Sequence, residues 1–300
     1  MMFFNPEEVK AITPYWDGER MADGRPKVSD DLLRRMKNLN TEEIWAIFYR
    51  DGYKYQFENR LKASRPGEIL VGRAVTLNFI PERPDYHAAQ MHQGREVEGN
   101  KGFFHQWVID RLEEHDVFVV DMFDKTFEGT IIGGNLATTI HTRTKDGGLV
   151  VWGGIRDLQQ IREIEGLQVF YRESDPSFIK EVTAVGVNRP TKIGKAICMP
   201  GDIVFGTPTG VLFCPPQYAE KCVVFAEKTK CRDVFGFMRL KEGKYTGAQI
   251  DSQWAPEIWE DFIEWFKNDP EMQEYSYLDF TEDLGQSRKM TAEQAQQVRD

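Results

Sequence analysis

The run from Asp116 to Arg172 alternates short apolar segments with glycine-bounded polar ones, and this alternation constrains the fold more than any other feature of the chain. DVFVVDMF (116–123), LVVW (149–152) and LQVFYR (167–172) are rich in β-branched and aromatic residues and too short for helices, so each reads as a buried strand. Between the first two, Gly133-Gly134-Asn135 opens a helix through LATTIHTRTK with Asn135 as its N-cap, and Gly147-Gly148 closes it. Gly153-Gly154 then turns the chain, Asp157 caps a short helix, LQQIREIE, and Gly166 ends it. Strand–helix–strand–helix–strand with short connections predicts an α/β fold with parallel strands.

The flanks are less regular. VSDDLLRRMKNL and NTEEIWAIFYRDG carry helical spacing, and EILVGRAVTLNFI (68–80) reads as strand. FFHQWVIDRLEEH (103–115) reads as helix, whereas 81–102 lacks apolar periodicity and is expected to be a long loop or irregular insertion. Short strands follow around TAVGV, AICMPGDIVFGT and GVLFCPP, and PEIWEDFIEWFKN in the tail is amphipathic. The expected organisation is an N-terminal arm and helix over 1–38, a core over 39–230 with the insertion at 81–102, and a helical C-terminal extension over 231–300.

Composition narrows the function. A formal net charge of −10 argues against a phosphate backbone as the main ligand, so no nucleic-acid partner is expected. No apolar run reaches membrane-spanning length, and the N-terminus lacks the basic and apolar regions of a signal peptide. Cys198, Cys214, Cys222 and Cys231 form no CxxC pair and have no histidine at zinc spacing. A soluble, cytoplasmic chain is the expectation.

The two central helices each follow a strand of one sheet, so their N-termini share the edge where open α/β sheets place ligands. Free amides at Leu136 and Ala137 would receive a carboxylate or phosphate there, and the glycines, Gly134 among them, admit close approach. Arg156 adds a planar fork for a carboxylate, Asp157 a hard oxygen ligand for Mg²⁺, and Asn135 a positioning amide. The same Arg156-Asp157 pair also reads as a surface ion pair with a helix cap. Arg232-Asp233, in KTKCRDVF, has no glycine turn before it and reads as structural. His87 and His92 in the insertion are accessory candidates, alongside Asp85, Tyr86 and the following His105. Asp121 suits either a supporting role at the site edge or a turn cap, and His141 suits packing or the surface.

GGNLATTIHTRTKDGGLVVWGGIRD (133–157) resembles, without gaps, the central signature of the family that includes the regulator of ribonuclease activity A and the class II pyruvate aldolases. LNTEEIWAIF (39–48), VGRAVTL (71–77), DVFVVD (116–121) and MPGDIVFGTPTGVLFCPP (199–216) are similar to its other core segments, so the resemblance spans roughly 39–225. It implies an RraA-like α/β sandwich assembled as a trimer or dimer of trimers, with sites at subunit interfaces. It further implies that Asp157 holds Mg²⁺ or Mn²⁺ largely through waters, that Arg156 contacts a pyruvate moiety, and that amides at Leu136 and Ala137 bind its carboxylate. The implied activity is a metal-dependent lyase, of aldolase or decarboxylase type, acting on a small 2-oxo or hydroxy acid through a stabilised enolate. Dehydration of a sugar-derived acid and non-catalytic regulation are the alternatives. Asn135 and Gln160 stand where the aldolases carry acids, which lowers metal affinity and removes two proton acceptors. Thr207 and Thr209 likewise replace acids of the closing motif.

Overall fold

A computed structural model describes residues 3–297, with side chains to residue 289. The chain divides into two compact units, 1–221 and 222–300, with the division inside the helix Ala219–Lys241.

In the first unit the four apolar segments form the centre of a mixed sheet. Leu70–Pro81, Asp116–Asp121, Gly148–Trp152 and Gln168–Tyr171 lie side by side and parallel, with Val119 opposite Thr76 on one side and Val150 on the other. Antiparallel strands extend it: Ile203–Thr207 pairs with the start of Leu70–Pro81, Gly210–Cys214 follows, and Val182–Val187 pairs with the end of Leu70–Pro81. The period of two sorts the central side chains onto two faces. Phe118, Val120, Leu149, Val151 and Val169 pack with Trp107, Ala137, Ile140 and Ile161 of the flanking helices. Val117, Val119, Val150 and Phe170 pack instead with Ile193, Ala196 and Cys198 of a β-hairpin and with Val204 and Phe213. Strands buried on both faces read as continuous apolar runs, which is why these segments stand out in the sequence. This is the α/β architecture expected, with helices on one face and a hairpin on the other.

Three expectations need correcting. The insertion is not a loop: Pro84–His92 is helical and runs into a π-turn, Gln93–Val97. Its periodicity is weak because Gln90 is the one buried side chain of that helix. FFHQWVIDRLEEH is helical only over Phe104–Ile109, and His115 takes a positive φ of 65° where the chain turns into the next strand. The helix of the central motif is closed by Lys145, at φ 60°, rather than by glycines; Gly148 already belongs to the strand. The N-terminal arm contains the helix Pro6–Ile12 and is anchored by Arg25, whose guanidinium is fully buried and grips both carboxylate oxygens of Asp116 at 2.7 and 3.1 Å.

The second unit is helical around an aromatic cluster that includes Phe235, Trp254, Trp259, Phe262 and Phe280. Arg232 lies over Trp254 and Trp259 at 4.6 and 5.2 Å, a packing role like that expected of this Arg-Asp pair. No helix among the described residues is long and apolar enough to cross a membrane.

Candidate active site at the glycine-led helix N-termini

The helix after the Asp116 strand spans Gly134–Thr144 with Gly133, in extended backbone, as its N-cap. Asn135 is therefore inside the first turn and exposed, not the cap. The Ala137 amide donates to the Gly133 carbonyl at 3.0 Å, so it is spent within the helix. Helix geometry leaves the amides of Gly134, Asn135 and Leu136 without intrahelical partners. Gly134 gives its N–H to Oδ2 of Asp157 at 3.2 Å. The Asn135 and Leu136 amides remain for a ligand at the positive end of the helix dipole.

Asp157 occupies the N-cap position of Leu158–Glu163 in the left-handed region, φ 56° and ψ 37°, and its side chain makes no hydrogen bond to that helix. Its backbone carbonyl accepts the Ile161 N–H, while its carboxylate turns to the neighbouring helix. Aspartate tolerates positive φ better than most residues, and such conformations collect at functional sites. The cap expected of Asp157 is thus a cap on the Gly134 helix.

The two glycines make this approach possible. A methyl on Gly133 would overlap Oδ2 of Asp157 and stand 3.0 Å from Nε of Arg156; one on Gly134 would overlap Oε1 of Gln160. Gly133 therefore lies against Arg156 and Asp157, and Gly134 against Asp157 and Gln160, while Asn135, next in the chain, is exposed. Arg156 is half-buried and lies over the Phe178 ring at 4.9 Å; no ion pair holds it among the described residues. Nothing in the sequence marks Phe178, which sits in the polar stretch SDPSFIK without periodicity.

Of the accessory candidates, Gln160 belongs to this group, and the others have partners of their own or are exposed. His87 meets Thr183 Oγ1 at 2.9 Å and Glu82 at 3.5 Å, and packs against Phe103 and Phe104. His92 is exposed on the same helix. Asp121 accepts the Phe123 N–H at 2.8 Å and so caps the turn after its strand. Burial raises its pKa, against the Phe123 amide and Lys192, and Asp124 raises it further. Thr207 and Thr209 share hydroxyl contacts with Thr41 at 3.0 and 3.2 Å. Pairing of Gly206 with Leu70 sets them where the parallel strands begin, the edge opposite Asp157.

Among the described residues no group of three or more His, Cys, Asp or Glu side chains could cage a metal ion. Mg²⁺ commonly keeps several waters and takes one or two carboxylates, so the exposed Asp157 carboxylate, with the Gln160 amide against the same helix N-terminus, fits a largely hydrated ion.

Parallel strands ending at two helix N-termini, one tied to the other by an Arg-Asp turn, define the class of this α/β protein. The RraA-like family model, described as Aldolase/RraA, matches residues 26–213, and the chain belongs to that family. Protein DlpA of Legionella pneumophila is 27% identical over 210 residues, covering 64% of this chain but only 29% of that protein. Among solved structures, RraAS2 of Streptomyces coelicolor, described as an unusual member of the RNase ES inhibitor RraA family, shares the fold at TM-score 0.60 and 23% identity, covering 74% of this chain and all (100%) of that one. An uncharacterised protein from Pseudomonas syringae pv. tomato does so at TM-score 0.61 and 17% identity, covering 79% and 98%.

Proposed function

We propose that the Gly133–Asp157 site binds a small 2-oxo or hydroxy acid and cleaves or decarboxylates it as a divalent-metal-dependent lyase. The observation that carries this reading is Arg156: a half-buried guanidinium, seated against Gly133 and Phe178 beside two amides left free by helix geometry, with no carboxylate of the described residues paired to it. A planar fork of this kind binds a carboxylate in two-point fashion, and the Asn135 and Leu136 amides would share that charge. Asp157, held by the Gly134 N–H, would retain Mg²⁺ or Mn²⁺ through water. When bound, the ion would supply Lewis-acid stabilisation of the charge that develops on the oxo oxygen as the C–C bond breaks. Asn135 and Gln160 would orient water or substrate through their carbonyl oxygens. Neither amide can accept a proton, so proton transfer falls to solvent or to the substrate itself.

The active unit in this reading is the core at 39–230, with the arm and extension as flanks. Its assembly is a homotrimer or dimer of trimers, and exposed Phe178, beside Arg156, offers surface for a neighbouring copy. The four cysteines are buried and form no disulfide among the described residues, which suits a cytoplasmic setting. A second reading, a non-catalytic regulator, is favoured by one observation: Asn135 and Gln160 are amides where the aldolases carry acids. Dehydration of a sugar-derived acid would use the same groups. Calorimetric titration with oxalate, a planar mimic of the pyruvate enolate, tests the site directly. Metal-dependent binding lost in Arg156→Met supports the proposal; binding indifferent to both Arg156 and metal sinks it.

A further inference from the structure

A cavity of about 560 Å³ opens in the first unit between the arm and the closing hairpin, and shares no lining residue with the Gly133–Asp157 group. Tyr15 and Trp16 of the arm, Tyr53, Gln56 and Pro216 form its wall, and Asp202 lies among them. This volume is ordinary for a small-molecule site, and a mostly apolar wall with a few converging polar groups is the usual make-up of one.

Asp202 is the unusual member. It is 1% exposed, its Oδ2 accepts the Met199 N–H at 2.8 Å, and no cation of the described residues forms an ion pair with it. Burial pushes its pKa up to about 8, against the single backbone hydrogen bond from Met199. A carboxyl group buried without a counter-charge is costly, and a ligand that supplied one would relieve it.

From the joint placement of this carboxyl and three aromatic rings around one cavity, we propose that the cavity binds a small alkylated ammonium ion. Aromatic faces attract cations, and desolvation strengthens that attraction. A primary ammonium would bring three donors to satisfy. Asp202 is the wall's one carboxylate; the wall's other side-chain oxygens, on Thr13, Tyr15, Tyr53, Gln56 and Gln217, are neutral. A quaternary or tertiary ammonium, whose methyl groups pack on Tyr15, Trp16 and Tyr53, needs no such partners. A neutral apolar ligand would leave Asp202 as it stands.

The test is isothermal titration of the full chain, on the alkaline side of Asp202's midpoint near pH 8, with choline and benzyltrimethylammonium as probes. The carbon isostere of choline, dimethylbutanol, serves as the neutral control. Saturable binding of a quaternary probe, at least tenfold tighter than the isostere and at least tenfold weaker in Trp16→Ala and Asp202→Asn, is the expected result. Asn at 202 retains an acceptor for the Met199 N–H. Should that variant fail to fold by circular dichroism, Trp16→Ala and Tyr15→Ala at the exposed rim carry the test. Equal binding of the isostere, unchanged binding in Trp16→Ala, or no saturation by either probe at millimolar concentration overturns the proposal.

Discussion

The amide of Gly134 donates to Oδ2 of Asp157 at 3.2 Å, tying the N-terminus of one helix to the residue that precedes the next. This bond joins the two halves of the central motif, which lie 23 residues apart. With the close approach that both glycines allow, it fixes the Asp157 carboxylate, while no ion pair among the described residues holds the Arg156 guanidinium beside it.

Gly133→Ala is therefore predicted to disable the site without unfolding the chain. The added methyl meets Asp157 Oδ2 and Arg156 Nε, and both side chains would have to shift, while Gly133's extended backbone accepts alanine without strain. Oxalate affinity and turnover should fall by tenfold or more, and the melting temperature should move little. Gly134→Ala should be milder, because the atom it meets is the end of the flexible Gln160 side chain. Equal effects of the two substitutions would contradict this account of the geometry.

Restoring the carboxylates should strengthen metal binding. Gln160 Oε1 lies over Gly134, next to the Asp157 carboxylate's own partner, so Gln160→Glu brings a second negative charge to the same spot. With Asn135→Asp it should raise Mn²⁺ affinity by about tenfold or more, equivalent to about 1.4 kcal/mol. Mn²⁺ titration followed by paramagnetic resonance reads this directly. No change in either variant would place the ion elsewhere.

Stability should depend on pH through His105. It is buried, its Nδ1 finds no partner among the described residues, and burial lowers its pKa from 6.5 to about 4. The unfolded chain takes up a proton below pH 6.5 that the folded chain refuses, so this contribution is full above that pH and is lost as pH falls toward 4. The loss across that window is about 3 kcal/mol. His105→Phe should flatten the decline between pH 7 and 4.5 in urea unfolding, by about that amount. Asp30 and Asp146 are held below the usual carboxylate range: the Arg73 hydrogen bond lowers Asp30, while bonds from Lys37 and His115 outweigh burial at Asp146. Their loss at lower pH is common to both proteins and cancels in the comparison. An unchanged slope in the variant would count against a neutral buried imidazole.

The central sheet was legible in the sequence because Val117–Val120, Leu149–Val151 and Val169–Phe170 are buried on both faces and so form unbroken apolar runs. PEIWEDFIEWFKN was legible because a single amphipathic face is buried in a helical unit. Pro84–His92 was not, since a helix that buries one glutamine leaves no apolar stripe to read. Within the site, the glycines, Arg156 and Asp157 could be placed at one edge from strand order alone. The detailed bonding could not. Asp157's left-handed backbone turns its carboxylate away from its own helix, the first helical turn takes up Ala137's amide, and Phe178 reaches Arg156 from a loop without pattern.

The most direct measurement of the proposed chemistry is a coupled pyruvate-release assay with oxaloacetate and a panel of 4-hydroxy-2-oxo acids, in Mg²⁺, Mn²⁺ or EDTA, on the wild-type chain and Asp157→Asn. The account predicts metal-dependent release that falls at least a hundredfold in the variant, roughly 2.7 kcal/mol of lost transition-state stabilisation. Silence from the wild type on every substrate and metal, or release that Asp157→Asn and EDTA leave untouched, would contradict it.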